Sequence, residues 1–215
     1  MVGIIKPKFK IIATDLDGTA TEAISSWRLM HEHYGCQAQA DENYKLYKND
    51  RHAWMLADQR IWESASGKQI TRDMIRSIVK NPVLRPHAKE VFAYLHKKYT
   101  IYLLTQAVDV YADIAAKELA ISNVIVDRFK YDEQGTIIGV DKSNFSKDKA
   151  ESIERIARIH EVPLEKIVAI GDTEFDIPMF EKAGLSIAIN NGDNEYLKPI
   201  VDHYINCLSE LKNIL

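Results

Sequence analysis

Four short apolar runs, each broken off by small or polar residues, constrain this chain most. Phe9 to Ala13 leads into Thr14-Asp15-Leu16-Asp17-Gly18-Thr19, and Ile101 to Leu104 leads into Thr105-Gln106-Ala107. Ile167 to Ile170 leads into Gly171-Asp172, and Ile187 to Ile189 into Asn190-Asn191-Gly192. A short continuous apolar run suits a strand buried on both faces, and such strands belong to parallel sheets covered by helices. Helical periodicity follows these runs: Ala88 to Lys98 through Val91, Phe92 and Leu95, then Val110 to Leu119, then Lys149 to His160 through Ile153, Ile156, Ala157 and Ile159. The alternation predicts an α/β fold, a Rossmann-like doubly wound parallel sheet. Tyr131 to Gly139 predicts a small β-hairpin turning at Gly135.

Residues from about 21 to 85 interrupt that alternation. They are rich in Trp, Tyr, His and charge, show helical patterning, and contain no convincing strand. Asn81-Pro82 and Arg85-Pro86 close the segment on its far side. We therefore expect a core domain from residues 1–20 and 86–215 and a small helical cap domain from residues 21–85. An insert after the first strand sits above the strand ends, where doubly wound proteins bind ligands. A chain of 215 residues is long enough for a buried core that carries such an insert.

Asp15 and Asp17, two apart on the turn leaving a buried strand, place two carboxylates close together. They repel unless a cation or a proton intervenes. A hard oxygen-binding ion such as Mg²⁺ suits the pair, because it takes a few carboxylates and fills its other positions with water and substrate phosphate. Gly18 lets the backbone turn closely and Thr19 offers a hydroxyl nearby. A plain Asp-Gly turn is the structural alternative; an EF-hand loop is not, because its further acidic ligands and closing Glu do not follow. His31 and His33, two apart on a helix, do not share a face and are no metal pair.

Asp15-Leu16-Asp17-Gly18-Thr19 resembles the first motif of the haloacid dehalogenase superfamily, Asp-x-Asp-Gly-Thr after a hydrophobic strand. Thr105 matches the second motif, Lys149 at a helix start the third, and Gly171-Asp172-Thr173-Glu174-Phe175-Asp176 the fourth. The order is the family's, and the likeness covers nearly the whole chain. Lys149-Ala150-Glu151, Asp176-Ile177-Pro178-Met179, Ala183-Gly184-Leu185 and the helical cap straight after the first motif are similar to the phosphoserine-phosphatase-like branch.

The resemblance implies a phosphatase with Asp15 as nucleophile, forming an aspartyl-phosphate, and Asp17 as the acid and base. It implies Mg²⁺ held by Asp15, the Asp17 main-chain carbonyl and Asp172. Thr105 and Lys149 would hold the phosphoryl oxygens, and Asp176 would orient Lys149 or a metal-bound water. Lys142 and Lys147 lie near Lys149 in sequence, but only Lys149 has the family's register at the helix start. The chain departs from the branch at Ile24, where an acidic residue is expected (Glu22 is two earlier), at Gln106-Ala107 after Thr105, and at Phe175. Arg60 lies near the register of a cap arginine that reads substrate, one gap away, in the segment that also holds Trp54, Asp58 and Trp62. Arg60 and Gln106 are the candidate substrate contacts, although an arginine on such a helix is commonly a solvated surface residue.

The substrate expected is a small phosphorylated metabolite other than phosphoserine. A haloacid dehalogenase on the same fold would leave Asp17 idle, a phosphomutase would share the intermediate, and a non-catalytic regulatory relative would be expected to lack one of Asp15, Asp17, Lys149 or Asp172. A net charge of -3 gives no reason to expect nucleic acid or an acidic membrane as partner. Cys36 and Cys207 form no close pair or metal-ligand spacing, which fits a reduced cytoplasmic protein. Met1 to Lys10 has no apolar signal core, and no run approaches the roughly 20 residues that span a bilayer. The sequence gives no indication of oligomeric state.

Overall fold

The four apolar runs form four strands of one sheet in the computed structural model, which describes residues 8–141 and 148–215. They are β1 (Ile11–Thr14), β2 (Thr100–Thr105), β6 (Ile167–Gly171) and β7 (Leu185–Ile189). Two further strands, outside those four runs, complete the sheet at its edges: β3 (Asn123–Val126) and β8 (His203–Ile205). The order is β3-β2-β1-β6-β7-β8, and every neighbouring pair is parallel. From β1 the chain winds outward through β2 to β3, then returns to β6 and winds the other way. The reversal falls between β1 and β6, the place where open α/β sheets bind ligands beyond the carboxyl ends of their strands.

Alternation along β1 feeds two cores. Ile12 packs on one face with Leu103, Val168, Ile170 and the helices α5 (Ala88–Leu95) and α6 (Asp109–Glu118). Ile11 and Ala13 pack on the other with Leu104, Ile167, Ala169 and α7 (Lys149–Ile159). Successive side chains on a strand point to opposite faces, so an unbroken apolar run is what this sandwich requires.

Residues 26–79 form four helices: α1 (Ser26–Tyr34), α2 (Gln37–Tyr47), α3 (Arg51–Ser66) and α4 (Arg72–Val79). Three begin at a side-chain cap, where Ser25, Asp50 and Thr71 accept from the amides of Arg28, Ala53 and Met74. Such caps satisfy amides that a helix start leaves without partners. Trp27, Met30, Met55 and Trp62 turn inward and join the same apolar cluster as Ile12 and Leu16 of the core. The two crossings of the chain into these helices pair with each other: the amide of Glu22 donates to Val83 at 2.8 Å, and that of Arg85 to Ala20 at 3.0 Å.

The expected hairpin is β4 (Arg128–Tyr131) with β5 (Ile137–Asp141), antiparallel. It is tied to the helical layer: the Ile137 amide donates to Ile70 at 3.0 Å and the Arg72 amide to Gly135 at 2.8 Å. Phe129 of β4 lies 6.0 Å from the Trp27 ring, within a group that includes Trp54 and Trp62. No helix among the described residues is long and apolar enough to cross a membrane.

Candidate active site

The Asp15 amide donates to Ile170 of β6 at 2.8 Å, so Asp15 is the last residue that the sheet holds. Leu16 is fully buried, and its carbonyl accepts from the amides of Thr19, Ala20 and Thr21. Anchoring the middle residue inward sends Asp15 and Asp17 away from the core, toward the space above the strand ends. Gly18 follows at φ 72°, and a Cβ there would lie 2.1 Å from Asp172 Oδ2. Only glycine permits that approach of the β1 turn to the end of β6.

Asp172 leaves β6 fully buried and held on every side. Its Oδ1 accepts from Thr19 Oγ1 at 2.6 Å, its Oδ2 from Asn191 Nδ2 at 2.9 Å, and its carbonyl from Asn194 Nδ2 at 2.7 Å. Lys149, the first residue of α7, follows the cap residue Asp148, which accepts from the Glu151 amide. Its Nζ stands 2.9 Å from Asp15 Oδ1 and 2.5 Å from Asp176 Oδ1. Asp176 Oδ2 accepts from the amides of Asp172 and Thr173 at 2.9 and 3.0 Å. Asp176 thus spends both oxygens on orienting its neighbours. Lys142 and Lys147 lie outside the described residues.

Asp17 Oδ2 accepts from the Ser26 amide at 2.6 Å and from Ser26 Oγ at 2.8 Å. Ser26 Oγ in turn accepts from the Val108 amide at 2.9 Å, which links the start of α1 to the loop after β2. Asp17 Oδ1 is buried without a hydrogen bond. Thr105, also buried, ends β2 and borders a cavity of about 30 Å³ with Gln106, Asp127, Asp148 and Lys149.

These carboxylates are held against their preference for water. Burial pushes Asp17 up to about 7, although Ser26 pulls the other way. Burial and the charges of Asp15 and Asp176 push Asp172 up to about 7. Asp15 is raised by burial, offset in part by Lys149. Burial works against the Lys149 charge, but Asp15 and Asp176 together hold the ammonium above its ordinary value. Four carboxylates meet one ammonium. Ligand oxygens of Asp15, Asp172 and Asp176 lie within 4.8 Å of one another. A divalent cation suits this donor set, because it supplies the missing positive charge and accepts hard oxygen ligands.

The structure brings Asp15, Asp17, Thr105, Lys149, Asp172 and Asp176 together at the switch point. It does not bring Arg60, which is exposed on the side of α3 away from Met55, Asp58 and Trp62. Its helical phase turns it to solvent. Gln106 is at the site through its carbonyl, which accepts from Trp27 Nε1 at 2.9 Å and from the Arg51 guanidinium. Ile24 and Phe175 are exposed. His31 is buried against Asp58 at 2.9 Å, and His33 packs edge-on against Tyr34.

Sequence reading missed Ser26, Arg51, Asn191 and Asn194. Asn191 had a signal, since it follows the run Ile187–Ile189 at a strand end. Arg51 had none. Its Nε lies 3.1 Å from Asp127 Oδ2, and its guanidinium stacks 4.2 Å over Trp54 and 5.1 Å over Trp27. That setting is assembled from four distant segments.

The family model of the haloacid dehalogenase-like hydrolases matches residues 12–181. The phosphoserine phosphatase of Methanocaldococcus jannaschii is 27% identical over 188 residues, which cover 86% of this chain and 87% of that protein. The phosphoglycolate phosphatase of Methanosarcina acetivorans is 48% identical over 46 residues, 21% of this chain and 20% of that protein. A crystal structure of a phosphoserine phosphatase in its apo form superimposes with a TM-score of 0.76 at 21% identity, covering 95% of this chain and 98% of the other. The strand order, the four motifs and the family match agree, and the chain belongs to the haloacid dehalogenase-like hydrolases.

Proposed function

We propose that the protein is a magnesium-dependent phosphatase that hydrolyses a small phosphate monoester through an aspartyl-phosphate on Asp15. The observation that carries this reading is the second carboxyl group. Asp17 is fixed by Ser26 through one oxygen while the other is buried and uncommitted. A dehalogenase releases halide, which needs no proton, whereas an alkoxide does. The relatives named as phosphatases support the same choice.

In the first step an Asp15 oxygen attacks phosphorus and the ester oxygen departs, taking a proton from Asp17. In the second, Asp17 takes a proton from water as that water attacks the aspartyl-phosphate, which returns Asp15 and releases phosphate. Lys149, fixed by Asp176, faces the phosphoryl oxygens as a point charge, and Thr105 offers a hydroxyl. Asp15, the Asp17 carbonyl and Asp172 are the residues that would hold Mg²⁺, whose charge offsets that of nucleophile and phosphate.

The test is phosphate release from p-nitrophenyl phosphate with Mg²⁺ and after chelation. Activity is expected only with the metal, and Asp15→Asn is expected to abolish it while the circular dichroism spectrum stays native. Turnover by pure Asp15→Asn at a rate comparable to the parent would overturn the assignment.

A further inference from the structure

The departing alcohol must lie beside Asp17, between the motif loops and the cap. Among the described residues, two cations whose charge reaches Asp17 are already paired: Lys149 with Asp15 and Asp176, and Arg51 with Asp127 and the Gln106 carbonyl. Arg60 faces solvent elsewhere. Neither paired cation is free to take up a carboxylate on the substrate without breaking a contact that is largely shielded from water.

The mouth offers apolar surface instead. Phe175, between Asp172 and Asp176 in sequence, is 44% exposed, and Ile24, two residues before Ser26, is 62% exposed. Tyr196 donates to Glu174 Oε2 at 2.9 Å, and its ring is also largely exposed. Tyr44 on α2 stands on the cap side, near enough that the Glu174 charge adds to burial in raising its hydroxyl. Four of the nine large apolar side chains exposed among the described residues therefore lie on segments that adjoin the first and fourth motif loops. Scattered exposed apolar groups need no account, but a group of them beside reacting atoms marks a binding surface. Glu174 adds a negative charge to the rim.

We infer that the alcohol half of the substrate has an apolar, uncharged body and no carboxylate, with Phe175, Ile24, Tyr44 and Tyr196 covering that body and Glu174 repelling acidic alcohols. The inference rests on the phosphatase reading of the same site. Aromatic side chains gain contact area with such a body, and a hydrophobic pocket separates substrates by about 10–200-fold for each small group it accepts or loses.

The test compares kcat/KM for benzyl phosphate and 3-phenylpropyl phosphate with that for phosphoserine and phosphoglycolate, all esters of primary alcohols, under saturating Mg²⁺. The aromatic esters are expected to lead by about tenfold or more. Phe175→Asn is expected to shrink that lead, and Glu174→Gln to raise phosphoglycolate relative to benzyl phosphate. A lead for phosphoserine or phosphoglycolate, or a ratio that neither variant moves, overturns the inference and leaves the phosphatase reading standing. Failure to hydrolyse any of the four esters or p-nitrophenyl phosphate overturns the phosphatase reading and this inference with it.

Discussion

Asp15 and Asp17 are two residues apart, yet their partners divide the chemistry between them. Burial raises Asp15, but the Lys149 ammonium 2.9 Å away works against that and favours its charged form, which suits a nucleophile. Burial outweighs the hydrogen bonds from Ser26 and pushes Asp17 up to about 7, which suits a group that must hold and return a proton. Asp17→Asn is expected to cost about 10²–10⁴ in rate on alkyl phosphates. The loss should be smaller on p-nitrophenyl phosphate, whose leaving group departs without a proton. Equal losses on both substrates would argue against Asp17 as the acid. Gly18 offers a second test on the same turn. Gly35→Ala meets nothing within 4 Å and carries only the strain of positive φ, about 1–2 kcal/mol. Gly18→Ala adds a clash with Asp172 and is expected to lose more stability in urea melts and to lose activity too. Two equal losses would show that the turn yields without disturbing Asp172.

At the scale of elements, α3 is held to the loops after β2 and β3 by its first residue. Removing Arg51 takes the ion-pair partner from the largely buried Asp127, a loss of about 1–3 kcal/mol, while the Gln106 carbonyl keeps Trp27. Arg51→Met combined with Asp127→Asn is therefore expected to destabilise the protein by less than the sum of the two single losses. A double-mutant cycle on unfolding free energies should show coupling of about 0.5 kcal/mol or more, and additivity would mean the pair contributes nothing as a pair. This tie also shows where sequence reading stops. The four central strands were legible because burial on both faces demands an unbroken apolar run. The edge strands were not: β3 begins with a half-buried Asn123, β8 is three residues with His203 exposed, and an edge needs less apolar sequence. Asp15, Asp17, Asp172, Asp176 and Lys149 were legible because each sits at a fixed offset from the end of a strand or the start of a helix. Arg51 and the Gln106 carbonyl were not, because their partners are chosen by packing among segments up to 79 residues apart. Arg60 had a plausible register but the wrong helical phase, which only the buried face of α3 reveals.

Across the whole molecule, the strand order sets the charge problem that the site must solve. Because the winding reverses between β1 and β6, the carboxylates that end these two strands come out side by side, and Asp176 joins them through the next turn. One lysine does not balance them. With Asp172 raised to about 7 and Asp15 also raised, the folded chain without metal holds protons that the unfolded chain releases near the ordinary value of 3.8. More protons on the folded state than on the unfolded state means stability falls as pH rises from about 4 toward 7. Mg²⁺ held by those same oxygens would displace protons, and its binding would tighten as pH rises through 7. At a concentration about 100-fold above its Kd, a ligand specific to the folded state adds about 2.7 kcal/mol, which is about 5–10 °C in Tm for a chain of this size. Thermal melts at pH 5.5 and pH 8, with one fixed Mg²⁺ concentration, are expected to show a larger gain at pH 8. Asp172→Asn should remove most of that gain, because it takes away one charged ligand and leaves Thr19 and Asn191 facing a neutral amide. A gain of equal size at both pH values, or one that survives Asp172→Asn, would place the metal somewhere other than between β1 and β6.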